Sequence, residues 1–395
     1  MKQPLEDIKV LDLSRVYAAP AGSMILADLG ADVIRVESPK GTDSMREWGP
    51  FHNGESTYYF SANRNKRSIT LNLKKEEGKK IFLDLVKEAD VVLENFKTGT
   101  LERLGLNYDR LRETNEKIIL CSVTGFGQTG PLKEEPGFDP VIQALSGLMS
   151  VTGDEDGEPT KVGVPIADIL TSKYVVIGIL SALRMRDQNG LGQHIDLSLL
   201  DVQISSLANI SSAYLNTDMI SKRLGNSHNN VVPYQVFYCK DDPIMLCAGN
   251  NGLYQRLCEV LGHPEWASDP RFINNDERLN HRGELVSLIA EVMVTKNADE
   301  WLEVFSKAKI PAGKVNSIEQ AFNHPQVKAR ETVEVINHPK KGEIRMTKNP
   351  LRFSKLNIST NYSPPLLGEH TSEVLLKELG MNRSKIDELK NNEVI

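Results

Sequence analysis

The chain has 395 residues, of which 40% are hydrophobic and 25% are charged, and its formal net charge is −6. This length allows two domains, and the composition is that of an ordinary globular protein. The negative charge argues against a nucleic-acid-binding protein built on overall basicity. No apolar signal segment opens the chain, and the four cysteines lack metal-ligand spacing. We therefore expect a cytoplasmic protein with reduced thiols and without nucleic-acid or membrane partners.

The N-terminal region has a strand–helix–strand pattern. Residues 8–13 and 31–37 read as strands, and residues 23–29 read as the helix between them. Such a unit is right-handed and implies a parallel sheet. The turn carries Ala18, Pro20 and Gly22 in place of the G-x-G-x-x-G fingerprint. Dinucleotide binding is therefore disfavoured, although Glu37 ends the second strand as that fold requires.

The alternation of strands and helices continues to about residue 150. Residues 69–73, 89–96 and 118–123 predict further strands, and 75–87 predict a helix. We expect an α/β fold, Rossmann-like, with an open and mostly parallel sheet. Ligands bind beyond the carboxyl ends of strands in such sheets. The basic run 64–67 suits phosphates, but a solvated basic turn explains it equally well.

The most apolar segment is residues 161–186. From 169 to 183 nearly every residue is apolar or small, which predicts a helix buried on all sides. It is too short, and too interrupted by polar residues at 171–173, to span a membrane. Asp168 lies where this helix would begin. Its simplest role is a helix cap that also favours the helix dipole, and the segment alone leaves a catalytic role open.

The second half of the chain has the pattern of a second domain followed by a C-terminal segment in which strands recur. Polar residues 216–230 look like a passage to a second domain, and residues 231–250 contain a hairpin around Asp241. Helical segments follow near 253–261, 282–293 and 298–307. Strand-like pieces return at 331–336 and 343–346, and a helix at 371–379 closes the pattern.

Several motifs, in order along nearly the whole chain, resemble the class III CoA-transferases, the family of formyl-CoA transferase, carnitine CoA-transferase and α-methylacyl-CoA racemase. They are residues 10–15, 29–34, 63–68, 94–96, 125–131 and 364–370. Residues 56–59, 232–235 and 248–251 look most like the branch that uses succinyl-CoA and other dicarboxylates, typified by succinate–hydroxymethylglutarate CoA-transferase.

The resemblance implies an architecture and an assembly. It predicts a large α/β domain over 1–215, a smaller α+β domain over 225–325, and a C-terminal segment, 331–395, that returns to the large domain. It also implies that two chains interlock as a homodimer with CoA sites between domains. No tightly bound cofactor or metal is expected, and coenzyme A or acyl-CoA enters as a substrate. The single histidines His194, His228 and His370 are better suited to surface or structural roles than to zinc.

The resemblance places the family's nucleophilic aspartate at Asp168. Transfer of CoA between two acids needs a carboxylate that attacks a thioester and forms an anhydride. We expect the start of the helix to keep this carboxylate ionised. The implied reaction moves CoA from an acyl-CoA donor, succinyl-CoA or another dicarboxylyl-CoA, to a carboxylic acid acceptor.

The resemblance also assigns residues to CoA. Lys97 and Arg103 suit phosphate contacts. The full set is Tyr17, Ala18, Ser38, Leu71, Asn72, Lys74, Asn95, Phe96, Lys97 and Arg103. Formyl-CoA transferase has Gln at the position of Tyr17 and Arg at that of Ser38, and its glycine-rich lid has no counterpart at 225–230. These departures argue against formate or oxalate as the preferred acid.

An acyl pocket is predicted from nearby residues. Arg15 and Arg46 are candidates to pair with a distal carboxylate of the acceptor. Trp48, Tyr58 and Phe138 are candidates for its walls, although loop aromatics also serve as core plugs. Racemase relatives carry a proton-transferring histidine where this chain has Phe138, so that activity is disfavoured. A non-catalytic CoA-binding or scaffold protein is a further alternative, disfavoured by the presence of Asp168.

Overall fold

The computed structural model describes residues 2–395, which divide into two compact units. The first comprises residues up to Leu148, Val162–Ser211 and Glu331–Ile395, and the second comprises Met149–Lys161 and Ser212–Arg330. Residues 149–161 thus group with the second unit, whereas the sequence assigns them to the large domain.

Along residues 2–395 the strands are β1 (Lys9–Asp12), β2 (Asp32–Glu37), β3 (Phe51–His52), β4 (Glu55–Ser56), β5 (Lys66–Thr70), β6 (Val91–Glu94), β7 (Ile119–Thr124), β8 (His194–Ser198), β9 (Tyr234–Tyr238), β10 (Pro243–Cys247), β11 (Ala312–Lys314), β12 (Val333–His338) and β13 (Gly342–Thr347). The α-helices are α1 (Ala18–Asp28), α2 (Thr57–Phe60), α3 (Glu76–Val86), α4 (Thr100–Leu104), α5 (Tyr108–Thr114), α6 (Asp139–Leu145), α7 (Ile166–Asn189), α8 (Leu199–Ser205), α9 (Ala208–Thr217), α10 (Asn251–Leu261), α11 (Asn275–Asn280), α12 (Arg282–Met293), α13 (Ala298–Lys307), α14 (Ile318–Asn323), α15 (Pro325–Ala329), α16 (Thr371–Lys377) and α17 (Arg383–Asn391).

The first unit is built on a six-stranded sheet in the order β5-β2-β1-β6-β7-β8. Every neighbouring pair in it is parallel, as the strand–helix alternation predicts. The chain runs from β1 outward to β2 and β5, and then restarts at β6 on the other side of β1. The order therefore reverses between β1 and β6, and a crevice opens at the carboxyl ends of strands at such a point.

Helix α1 begins earlier than predicted. The sequence indicates a helix from residue 23, but α1 starts at Ala18, so Pro20 and Gly22 lie within it. Proline fits in a first turn because the amides there have no partner within the helix. Gly22 lets α1 pack closely on α7, since a Cβ atom there would lie 2.7 Å from Cγ1 of Val175. This packing fixes the start of α1 relative to α7.

Helix α7 is longer and less buried than predicted. It extends over 24 residues, and one face, including Val175 and Ile179, packs in the core. The opposite face exposes apolar side chains, with Tyr174 43% and Ile177 54% exposed. The prediction of a helix buried on all sides is therefore wrong for this chain alone. By length and composition α7 is also apolar enough to cross a membrane, a test that core helices of soluble proteins pass as well.

The second unit contains a three-stranded antiparallel sheet in the order β11-β10-β9. The predicted hairpin around Asp241 is confirmed, since Tyr238 of β9 pairs with Pro243 of β10. The core of this unit is rich in aromatic residues, including Trp301 and Phe305, whose rings stack 5.4 Å apart.

The C-terminal residues pack on the first unit. The β12–β13 hairpin buries Ile344 and Met346 against a cluster that includes Tyr59. Helices α16 and α17 contribute Leu375 and Leu389 to the main core beside the sheet.

The basic run 64–67 is structural. Arg64 pairs with Asp28, buried Lys66 with Asp12, and Arg67 with Asp32. These pairs tie β5 and the residues before it to α1, β1 and β2, so the predicted alternatives of a phosphate site and a solvated turn are both wrong.

Candidate active site

Asp168 is the third residue of α7 and does not cap it. The N-cap position belongs to Pro165, and no side chain of the N-cap residue bonds to the helix. Within residues 2–395 the carboxylate of Asp168 accepts no hydrogen bond, and the residue is only partly exposed. A carboxylate in this position lacks the partners that a structural carboxylate normally has.

The capping role belongs instead to Asp139, the first residue of α6. Its Oδ1 accepts the backbone N–H of Ala167 at 2.8 Å and that of Asp168 at 3.3 Å. Its Oδ2 accepts a hydrogen bond of 2.6 Å from Nε2 of Gln143, whose Oε1 in turn accepts the N–H of Val162. A neighbouring helix therefore satisfies the start of α7 and leaves the side chain of Asp168 unused.

This arrangement raises the pKa of Asp168. Burial, and then the negative charge of Asp139, raise the pKa of the Asp168 carboxyl to about 7. The expectation that the start of the helix keeps Asp168 ionised is wrong, because Asp139 occupies the amides that would have done so. A carboxylate with few partners and a raised pKa is more basic, and a better nucleophile once ionised, than an ordinary one.

Aromatic side chains lie beside Asp168. The rings of Tyr17 and Tyr58 meet edge to face with centroids 5.9 Å apart, and Trp48 meets Tyr58 in the same way at 5.6 Å. Burial, followed by the charge of Asp168, raises the pKa of both phenols. Neither hydroxyl is hydrogen-bonded within residues 2–395, so both are free to donate to a ligand at Asp168.

The backbone before Tyr17 is held in an unusual conformation. Val16 has a φ of +61°, which is costly for a β-branched residue. Its N–H donates to Oδ1 of Asp43 at 3.1 Å. On the other side, the side-chain amide of Asn95 accepts the N–H of Arg15 and donates to its carbonyl, both at 2.8 Å. These bonds across the β1–β6 crevice fix where the chain presents Tyr17.

A cavity of about 830 Å³ opens at the carboxyl ends of β1, β2, β5 and β6. We call it the strand-end cavity, and its size is suited to a ligand larger than most metabolites. Its lining used below comprises Arg15, Ser38, Lys40, residues 71–74, Phe96, Lys97, Lys390, Glu393 and Ile395.

The charge of the strand-end cavity is cationic despite the acidic chain. Of its acidic side chains, Asp43 pairs with Arg35 and Glu37 pairs with Arg35 and Arg46, while Glu393 forms no ion pair within residues 2–395. In contrast, the basic side chains Arg15, Lys40, Lys74, Lys97 and Lys390 form no ion pair within residues 2–395. Five unpaired cationic side chains against the single unpaired acidic side chain of Glu393 favour a polyanionic ligand such as a nucleotide phosphate.

Comparisons with known proteins agree with this geometry. The model of the CoA-transferase family III matches residues 5–371. The chain belongs to this family. It is 40% identical to the succinyl-CoA:glutarate CoA-transferase of Homo sapiens over 100% of this chain and 90% of that protein. It is 42% identical to the succinate–glutarate CoA-transferase of Agrobacterium fabrum over 95% of each. A crystal structure of a CaiB/BaiF family protein from Brucella suis is 41% identical, covers 95% of this chain and 99% of that one, and has a TM-score of 0.84.

The structure of this CoA-transferase brings many of the predicted CoA residues together. Ser38, Leu71, Asn72, Lys74, Phe96 and Lys97 all line the strand-end cavity. Others lie elsewhere. Tyr17 is close enough to Asp168 for the charge of Asp168 to raise its pKa, and Ala18 is buried in the core at 5% exposure. Arg103 lies on α4 and donates to Oγ1 of Thr100, while the side chain of Asn95 is used by Arg15.

The two arginines predicted for the acyl pocket differ in their partners, because Arg46 is ion-paired and Arg15 is not. Arg46 forms a two-bond pair with Glu37 and also donates to the hydroxyl of Tyr59, over whose ring it lies at 3.8 Å. These contacts give Arg46 a structural role, and its role with a substrate carboxylate stays a prediction. Arg15 is unpaired and lies 5.2 Å from the centroid of the Phe96 ring, so it remains available to a ligand.

The other residues named in the sequence analysis are two exposed aromatic residues and three histidines with hydrogen-bond partners. Trp48 is 39% exposed beside Tyr58, and Phe138 is 60% exposed at the N-cap of α6. His194 lies 2.9 Å from Oγ of Ser122, His228 accepts the N–H of Asn230, and His370 accepts that of Ser68.

Sequence reasoning missed the functional roles of several residues. The sequence analysis attaches no role to Asp139, yet this residue caps the helix of Asp168. Its position directly after an exposed aromatic and before Pro140 is a signal of a helix start that the sequence does contain. Lys40 and Lys390 carried no local signal, because only the fold brings them to the strand-end cavity.

Proposed function

We propose that this family III CoA-transferase moves CoA from succinyl-CoA, or another dicarboxylyl-CoA, to a free carboxylic acid with Asp168 as the nucleophile. The observation that carries the proposal is the carboxylate of Asp168 itself, which is mostly buried, has no hydrogen-bond donor within residues 2–395, and has a pKa raised to about 7. No other carboxylate of the first unit combines these properties with a position beside free phenol hydroxyls.

The proposed reaction passes through two covalent intermediates. An oxygen of Asp168 attacks the thioester carbonyl, the C–S bond breaks, and CoA leaves as a thiolate to give a mixed anhydride. The thiolate then attacks Cγ of Asp168, the bond between Cγ and the bridging anhydride oxygen breaks, and the donor acid leaves as a carboxylate that keeps this oxygen. This gives an aspartyl-CoA thioester. The acceptor carboxylate reverses both steps, so no net proton or water is consumed.

The strand-end cavity supports the CoA part of the proposal. Acyl-CoA carries a pyrophosphate and a 3′-phosphate, and unpaired Lys74, Lys97 and Arg15 line this cavity. Arg15 also links the two regions, because it lines the cavity and precedes by two residues Tyr17, whose pKa the charge of Asp168 raises.

The choice of acids follows from the relatives. Two of them, at 40% and 42% identity, are named for exchange between succinate and glutarate. We therefore propose succinyl-CoA as donor and glutarate as the first acceptor to test. A preference among dicarboxylates depends on pocket contacts that differ by about 1–3 kcal/mol.

We also propose that the active form is a homodimer in the cytoplasm. The exposed apolar face of α7, which includes Tyr174, Ile177 and Met185, supports a partner chain, because such a face is costly to leave in water. Size-exclusion chromatography with light scattering tests this, and a monomeric active enzyme would contradict it.

The decisive experiment combines an exchange assay with trapping. Purified protein is incubated with succinyl-CoA, glutaryl-CoA or acetyl-CoA and a panel of acids, and CoA exchange is followed with labelled acceptors. Asp168→Ala should abolish exchange while CoA still binds, whereas Asp187→Ala, an exposed carboxylate on the same helix, should not change it. Hydroxylamine or borohydride trapping followed by mass spectrometry should modify residue 168. Exchange by Asp168→Ala within tenfold of the wild type would refute the proposal.

A further inference from the structure

The last residues of the chain are anchored against the strand-end cavity. Helix α17 buries Ile386 and Leu389 in the main core, and Val394, after the helix, is 2% exposed in the same core. Between them Glu393 adopts a φ of +50°, a left-handed conformation that turns the chain back toward the sheet. A non-glycine residue keeps this conformation only where its surroundings fix it.

The surroundings that fix it are the residues after β5. The N–H of Asn72 donates to the carbonyl of Val394 at 2.8 Å, and its side chain donates to that of Glu393 at 3.3 Å. Nζ of Lys75 donates to the carbonyl of Asn392. The segment 71–74 is therefore bonded on one side to the chain end and presents its other side to the strand-end cavity.

The chain end itself also lines this cavity, with Lys390, Glu393 and Ile395. Lys390 is an exposed residue in the last turn of α17 and forms no ion pair within residues 2–395. Lys385, one helical turn and a half earlier, is by contrast bonded to Glu77 and Glu388. Lys390 is thus the lysine of α17 that lines the cavity and forms no ion pair within residues 2–395, and Glu393 is the acidic side chain of the chain end that lines the same cavity.

We propose that residues 390–395 form a wall of the CoA-binding groove and that Lys390 contacts a phosphate group of CoA. This inference rests on the proposed function, in which the strand-end cavity binds CoA. The chain end then has two roles. It holds the segment 71–74 in place through Asn72, and it adds a cation to those of Lys74 and Lys97. A charge-assisted contact of this kind stabilises the bound phosphate without touching the reacting acyl group.

The test compares Lys390→Ala and Lys390→Glu with Arg383→Ala. Arg383 opens the same helix, is exposed, does not line the cavity and forms no ion pair within residues 2–395, so its variant changes the net charge equally. Calorimetry measures the Kd of CoA and of dephospho-CoA, and exchange kinetics give kcat and the KM for succinyl-CoA. Circular dichroism melting establishes that each variant is folded.

We expect Lys390→Ala to raise the Kd of CoA about fivefold to tenfold, with a larger rise for Lys390→Glu and an unchanged kcat. Arg383→Ala should stay within twofold of the wild type. If the contact is to the 3′-phosphate, Lys390→Ala and the wild type should bind dephospho-CoA equally. If it is to the pyrophosphate, the loss should persist. Wild-type affinity for CoA in Lys390→Glu would overturn the inference while leaving the proposed function intact, whereas a wild-type protein that binds no CoA would overturn both.

Discussion

The carboxylate of Asp139 accepts the backbone N–H of Asp168 at 3.3 Å, so one aspartate occupies the helix start on which the other would otherwise depend. The consequence is a division of roles between two carboxylates of similar chemistry. Asp139 is fixed by Gln143 and by two amides, while Asp168 keeps an unoccupied carboxylate and a raised pKa. Pairs of carboxylates whose surroundings give them different pKa values are a common feature of enzyme sites.

This relationship predicts the effect of Asp139→Asn on the pH profile. In the proposed reaction the nucleophile is the ionised form of Asp168, so kcat/KM of the wild type should rise with pH up to about 7 and then level off. Removing the charge of Asp139 removes one of the two causes of the raised pKa, while the amide oxygen of asparagine can still accept from the helix. We expect the acidic limb to move down by about one pH unit. An unmoved limb would show that the charge of Asp139 has no influence on Asp168.

The same pKa predicts that Asp168 destabilises the fold at alkaline pH. Its pKa is about 7 in the folded state and about 3.9 in an unfolded chain, so the native state holds the extra proton between these values. The free energy of unfolding should therefore fall as pH rises from about 4 to about 7, and stay low above that. Asp168→Asn should remove this loss and gain on the order of 2 kcal/mol at pH 8, with little gain near pH 4. Urea unfolding at the two pH values measures it, and an equal gain at both would contradict the argument.

The phenol of Tyr17 is expected to matter for rate. The tetrahedral intermediates formed at Asp168 develop negative charge, and the nearby amides of Ala167 and Asp168 already donate to Asp139. The raised pKa of Tyr17 keeps its hydroxyl protonated, so it can donate at neutral pH. Tyr17→Phe should lower kcat about 10-fold to 100-fold with a small change in the KM for succinyl-CoA. Tyr238→Phe, an exposed tyrosine of the second unit, serves as the control. A Tyr17→Phe enzyme with wild-type kcat would exclude this role.

The different surroundings of Arg46 and Arg15 predict different effects of removing them: a loss of stability for Arg46 and weaker substrate binding for Arg15. Arg46→Ala leaves Glu37 buried without its two-bond partner and should cost about 3 kcal/mol of folding free energy. Arg15→Ala breaks no ion pair, so its stability should change by less than about 1 kcal/mol while the KM for succinyl-CoA rises. Thermal unfolding and steady-state kinetics on both variants check this. A stable Arg46→Ala with a raised KM for the acceptor acid would support the role predicted from the sequence.

Much of the fold was predictable because it depends on local patterns. The parallel pairing of β1, β2 and β6 follows from the strand–helix alternation, and the hairpin at β9–β10 follows from its turn. The family motifs point to the nucleophile position in the same way. Each of these signals lies within a few consecutive residues.

The electrostatics of the site were not predictable, because they depend on contacts between distant segments. Asp139 caps α7, Arg46 forms an ion pair with Glu37, and the carbonyl of Val394 accepts the N–H of Asn72. The sequence contains all of these residues, but their pairing is decided by tertiary structure. As a result the sequence analysis placed the candidate nucleophile at Asp168 and was wrong about what sets its pKa.

The close packing of α1 on α7 predicts that Gly22 controls the position of Tyr17. A Cβ atom at residue 22 would lie 2.7 Å from Cγ1 of Val175 and 3.1 Å from the carbonyl oxygen of Ser172, so the two helices would have to separate. Gly22→Ala should therefore cost about 1–3 kcal/mol and lower kcat, since Tyr17 is the N-cap residue of α1 and Asp168 lies in the first turn of α7. The double variant Gly22→Ala/Val175→Ala removes the closest contact and should recover part of both losses. Gly283→Ala, a helical glycine with no atom within 4 Å of the added methyl, is the matched control and should be neutral or stabilising. If the double variant were only as stable and as active as the sum of the single changes predicts, the contact between these two helices would not be what aligns the site.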